Sequence, residues 1–145
     1  LRDVSPEQLD EVGAELPPIL HRRARHVVDE CRRVHRAVER MRAGDRQGLG
    51  RLLREGHASL RDLFEVSHPD VDLLVDLADR AGACFGSRLT GGGFGGSTIS
   101  LVAPAGAESF AAELAPSYHS ATGRTAQVWI CQAGGPAEVI ASPTS

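Results

Sequence analysis

Between positions 19 and 41 the apolar residues fall at Leu20, Ala24, Val27, Cys31, Val34, Val38 and Met41, in alternating steps of four and three. That period predicts a long helix with one narrow buried stripe. Before it, Ser5-Pro6-Glu7-Gln8 carries a cap, a first-turn proline and a capping-box partner. It predicts a helix to about Glu15, broken by Pro17-Pro18. Gly44 stops the long helix and Asp45 caps the next, whose apolar set is Leu49, Leu52, Leu53, Leu60, Leu63 and Phe64. So short a turn makes the two helices antiparallel neighbours. Gly48, Gly50 and Gly56 cost that helix propensity, which points to close packing or a frayed first turn. Ser67 as cap and Asp70 at the box position open a further helix with a stripe of Val71, Leu74, Val75, Ala78 and Ala81. Asp72, Asp76 and Asp79 are placed on its solvated face, and Gly82 ends it.

After Gly82 the period changes. Ser87 to Thr90 and Ser97 to Ala103 have the make-up of strands, and Ala107 to about Ala115 that of a helix continued or broken at Pro116. Thr125 to Cys131 predicts a strand, and Glu138-Val139-Ile140 a last edge strand. Helices segregated from a small, mostly antiparallel sheet of three or four strands make an α+β fold. Such a sheet leaves edges exposed, and an extra strand from chain upstream would suit it. The expected organisation is one domain over 1–141, helical over 5–82 and β-rich over 83–141, with a tail at 142–145 lacking order.

Composition narrows the chemistry. The net charge of −3 offers no basic field for nucleic acid or an anionic membrane. All sixteen basic residues are arginine, so a Schiff-base lysine, a Walker lysine and a protein-kinase strand lysine are excluded within this chain. Cys31, Cys84 and Cys131 are too far apart for a zinc pattern and odd in number, which points to a reducing compartment. No apolar run approaches membrane-spanning length, and Leu1-Arg2-Asp3-Val4 looks like mid-protein sequence. His57 has no second ligand at i+4 and is expected to be a packed or surface histidine, not a metal ligand. The acidic trio has no backbone loop to complete an oxygen cage.

The most informative stretch is Arg88-Leu89-Thr90-Gly91-Gly92-Gly93-Phe94-Gly95-Gly96, in which five of the last six residues are glycine. Gly91, Gly93 and Gly96 match G-x-G-x-x-G, but dinucleotide binding needs a helix after the loop, and here a strand follows. A two-residue hairpin turn needs one or two glycines, not five. What remains is bare backbone that a phosphate or another loop approaches closely, with Arg88 and Thr90 able to add a charged fork and a hydroxyl.

Gly86-Ser87-Arg88-Leu89-Thr90 followed by this loop resembles the third signature motif of the GHMP small-molecule kinases, in the form seen in galactokinases. Arg22-Arg23-Ala24-Arg25-His26-Val27-Val28 resembles a galactokinase helix, as does the segment from His57-Ala58-Ser59-Leu60-Arg61-Asp62 through Leu63-Phe64-Glu65-Val66-Ser67-His68 to Pro69-Asp70-Val71-Asp72. Ser97 and His68 stand where the family commonly has cysteines. The resemblance implies a ferredoxin-like C-terminal domain of a longer, cytoplasmic protein. It implies phosphoryl transfer from ATP, with Mg2+, to the C1 hydroxyl of galactose. It places the sugar motif, the phosphate loop, the catalytic aspartate and its partner arginine in an N-terminal domain outside this chain. On that footing ATP and Mg2+ are held mainly by the N-terminal domain, which is this chain's partner. No residue here is a catalytic candidate or a metal ligand, and the fragment alone is expected to be inactive. Gly91, Gly92, Gly93, Phe94, Gly95 and Gly96 support the nucleotide-phosphate site, with Arg88 and Thr90 beside them. The alternatives within the superfamily are a non-enzymatic galactose- and ATP-binding sensor and another sugar kinase.

Overall fold

The computed structural model describes residues 1–135. Helix α1 spans Pro6–Gly13, α2 Pro18–Arg42, α3 Arg46–Ser59 and α4 Pro69–Arg80. Strands β1 (Cys84–Thr90) and β2 (Ser97–Val102) form an antiparallel pair, and α5 spans Ala107–Thr122. This is an α+β architecture. The expected last strand at Glu138-Val139-Ile140 and the tail at 142–145 lie outside the described residues.

Local chemistry explains most boundaries. Ser5 Oγ accepts from the Gln8 N–H while the Gln8 side chain accepts from the Ser5 N–H, closing the capping box of α1. Asp45 Oδ1 accepts from the Gly48 N–H at 2.7 Å and caps α3. At α4 the cap is His68, not Ser67: Pro69 holds the residue before it extended, and His68 Nδ1 accepts from the Asp70 N–H at 3.2 Å. Ser67 instead donates its hydroxyl to Asp72.

Expectations for α2, β1 and the 125–131 segment are corrected, and the alternatives left open at Pro116 are decided. Of the predicted α2 stripe only Ala24 is buried; Val28, which lies outside the stripe, joins Ala24 and Leu9 of α1 in one core cluster, and Leu20, Val34 and Met41 are exposed. At about 1.5 Å per residue, 25 residues reach beyond the elements that cover the helix's middle. β1 begins three residues earlier than expected, with a bulge between Cys84 and Gly86. α5 runs through Pro116 to a left-handed Gly123, because Phe110, Leu114 and Tyr118 keep one buried stripe across the proline. Phe110 and Leu114 pack on Ala78 of α4 in a second core cluster. Finally, no strand forms at 125–131 among the described residues. Val128 packs on the second cluster, but Trp129 is 72% exposed, and a strand requires a ladder partner. The sheet therefore has two strands among the described residues, not three or four.

The glycines of α3 mark close packing. A Cβ on Gly50 would lie 1.9 Å from the Phe85 carbonyl oxygen, and one on Gly86 2.1 Å from the Gly50 carbonyl oxygen. Helix and strand backbones meet there with no room for a side chain. This contact sets β1, and with it the loop beyond, against the helices.

Candidate functional site

The glycine loop joins the two strands, from the last ladder pair Thr90 and Ser97 outward. Gly91, Gly93, Phe94, Gly95 and Gly96 all have positive φ, between 60° and 125°. A side chain there costs about 1–2 kcal/mol, so four of the glycines are dictated by conformation. Space adds a second constraint at Gly93 alone: its Cβ would stand 2.4 Å from the Val66 carbonyl oxygen. Cβ atoms on Gly91, Gly92, Gly95 and Gly96 would meet open space, so this face of the loop is free. Phe94 takes the left-handed conformation with its ring 75% exposed, while its N–H donates to the Val66 carbonyl at 2.7 Å.

Arg88 and Thr90, expected at the loop's flank, diverge. Thr90 is exposed at the loop's root. The Arg88 guanidinium crosses to α2, where Nη1 donates to Glu30 Oε1 at 2.6 Å, and Arg33 pairs with the same carboxylate. Burial pushes the Glu30 carboxyl up, but the Arg88 hydrogen bond and the charges of Arg88 and Arg33 outweigh it and hold it below the usual range. Gly56 makes room for this bridge: a Cβ would be 2.7 Å from Arg88 Nη1. Arg88 in this arrangement is a strut fixing β1 to α2.

His57 is buried, and its Nδ1 accepts from the Leu89 N–H at 3.3 Å. That contact requires the tautomer with its proton on Nε2, which lies 3.2 Å from Asp72 Oδ1 but without good hydrogen-bond alignment. Burial pushes the imidazole below its usual pKa, against the opposing pull of Asp72. The histidine is packed, as expected. Asp72 and Asp79, expected on a solvated face, turn toward partners instead: Asp79 pairs with Arg54 at 2.9 Å. No group of acidic, histidine or cysteine side chains suited to a metal occurs among the described residues.

The carbonyl that anchors the loop is itself positioned. α3 continues into a π-helical turn, Leu60–Phe64, which ends at Glu65 with φ 57° and ψ 42°. Arg22 Nη2 donates to Glu65 Oε1 at 3.0 Å; Arg23 donates to Glu65 Oε2 and to the Leu63 carbonyl, and lies over the Phe64 ring, 6.0 Å from its centre. The Arg23 hydrogen bond holds the Glu65 carboxyl below its usual range. His26 stacks on Phe64 at 4.5 Å and its Nδ1 meets Ser59 Oγ at 2.8 Å. Three stretches separated in sequence, 22–28, 57–72 and 86–96, are thus one contiguous assembly under the loop. Glu30, Glu65 and Val66 were not singled out from the sequence. For Glu65 and Val66 the signal available was the family-like stretch 57–72 that contains them; Glu30 lies outside all three stretches and had none.

This assembly defines the class. The family model described as the C-terminal domain of GHMP kinases matches residues 35–120, and the chain belongs to that family. Its relatives include galactokinases. That of Roseiflexus sp. (strain RS-1) is 53% identical over 133 residues, 92% of this chain and 34% of that protein. That of Bos taurus is 43% identical over 141 residues, 97% of this chain and 35% of that protein. The crystal structure of Lactococcus lactis galactokinase complexed with galactose superposes with a TM-score of 0.80 at 34% identity, covering 85% of this chain and 32% of that one. The chain spans about a third of the length of the curated relatives it matches. Among the described residues no helix is long and apolar enough to cross a membrane.

Proposed function

We propose that this chain is the C-terminal part of a cytoplasmic galactokinase, which transfers the γ-phosphoryl group of ATP, with Mg2+, to the C1 hydroxyl of galactose. The observation that carries the reading is the loop itself, whose four positive-φ glycines include three that present bare backbone to open space. Successive N–H groups in such a loop suit an anion. In this reading ATP and Mg2+ are held mainly by an N-terminal domain.

Phosphoryl transfer depends on positioning and on neutralising charge at the transferred group. In this reading Gly91, Gly92, Gly95 and Gly96 let the nucleotide-phosphate loop of the other domain come close. Gly93 and Phe94 dock the loop on Val66, and the Arg88–Glu30 strut keeps β1 in place.

The test is product formation. The full-length protein carrying this chain is expected to form galactose 1-phosphate with ATP, and the 145-residue chain alone to form none. Product from the chain alone, or none from the full-length protein, overturns the proposal. Galactose binding without turnover would indicate a sensor instead.

A further inference from the structure

The loop is anchored where the Phe94 N–H meets the Val66 carbonyl, 2.7 Å away. What aims that carbonyl is the turn before it. Glu65, directly before the acceptor Val66, and Phe94, the donor, are the two non-glycine residues at positive φ among the described residues. Two unfavourable backbone conformations therefore flank one hydrogen bond. Such conformations persist only where the surroundings over-determine them.

The surroundings of Glu65 are the arginines of α2. Arg23 grips the turn in three ways: through the Leu63 carbonyl, the face of Phe64 and the Glu65 carboxylate. Arg22 holds the other carboxylate oxygen at 3.0 Å. Glu65 is 45% exposed, Arg22 42% and Arg23 26%. Ion pairs so exposed contribute little to stability. What an arginine fork that spans a carboxylate and a carbonyl supplies in such a place is direction.

We propose that Arg23 and Glu65 are positioning residues for the glycine loop: Arg23 fixes Glu65 in its left-handed turn, the turn aims the Val66 carbonyl at the Phe94 N–H, and that bond sets where the loop stands. The consequence for turnover rests on the reading of the loop as a phosphate-site support. The structural part does not.

The test uses the full-length protein with Arg23→Ala, Arg23→Lys, Glu65→Gln and the double variant Arg23→Ala/Glu65→Gln. Amide hydrogen exchange at Phe94 is measured alongside kcat, the KM for ATP and for galactose, and Tm. Arg23→Ala is expected to speed Phe94 exchange and lower kcat about tenfold each, the factor one charge-assisted hydrogen bond represents. The galactose KM stays unchanged, and Tm moves by about 2 °C or less, as for an exposed pair. Arg23→Lys falls between, because an ammonium meets the carboxylate but cannot fork to the Leu63 carbonyl. The double variant is no worse than Arg23→Ala. Unchanged Phe94 exchange in Arg23→Ala, or fully additive losses in the double variant, overturns the clamp. A wild-type protein without turnover but with a protected Phe94 amide that Arg23→Ala exposes would refute the kinase reading and uphold the clamp.

Discussion

Alanine placed in turn at Gly92, Gly91 and Gly93 separates the two reasons the loop has for glycine. Gly92 has no positive φ and a Cβ there meets nothing, so Gly92→Ala should stay within about 0.5 kcal/mol of wild type. Gly91 has φ +90° and open space, so Gly91→Ala carries the conformational cost alone, about 1–2 kcal/mol. Gly93 has φ +88°, and its Cβ would stand 2.4 Å from the Val66 oxygen and 2.8 Å from the Val66 Cβ. Gly93→Ala adds to the same strain the loss of the Phe94–Val66 hydrogen bond, about 0.5–1.5 kcal/mol, because the loop must lift away. The sum is about 1.5–3.5 kcal/mol. Withdrawal of the loop caps it, since the loop can release Val66 without unfolding the core. Urea unfolding followed by circular dichroism reads the series: with a slope of about 1–3 kcal/mol per molar, Gly93→Ala moves the midpoint by roughly 1 M or more. Turnover of the full-length protein should fall further for Gly93→Ala than for Gly91→Ala, with the largest loss for Gly93→Val. Equal effects at Gly91 and Gly93, or near-normal turnover of Gly93→Val, would refute the close approach.

The other predictions concern the supports. Gly50→Ala gains about 1 kcal/mol of helix propensity yet drives a Cβ to 1.9 Å from the Phe85 oxygen, at the upper end of overpacking costs, about 3 kcal/mol, so a net loss of about 2 kcal/mol is expected; a thermal melt at or above wild type would refute it. Burial pushes His57 below its usual pKa of 6.5, so the unfolded chain binds the proton more readily and stability falls as pH drops through 6.5 toward the folded pKa. His57→Asn keeps an acceptor for the Leu89 N–H and removes this contribution; stability against pH should then be flatter between pH 7 and 5, the remaining slope including His26, which burial also lowers.

The helices were legible because each carries its own signals. The capping box at Ser5, the Asp45 cap, the glycine stops and the period of the apolar residues are local chemistry, and they end the elements where the structure ends them to within a few residues. The glycine loop was legible for the same reason, since a chain that must hold positive φ at successive positions needs glycine. Three matters were settled only in three dimensions. Which glycine is pressed against a neighbour depends on where Val66 lies, 27 positions away. Whether Arg88 reaches a ligand or a carboxylate depends on Glu30, 58 positions away. The 125–131 segment has the composition of a strand, but a strand is a relation between two backbones, and composition describes only one. The sequence by itself determined what the loop is made of and why it is bare. The tertiary structure decided what holds it, because the Arg23–Glu65 turn, the Val66 carbonyl and the Arg88–Glu30 strut exist only once α2, α3 and β1 have packed together.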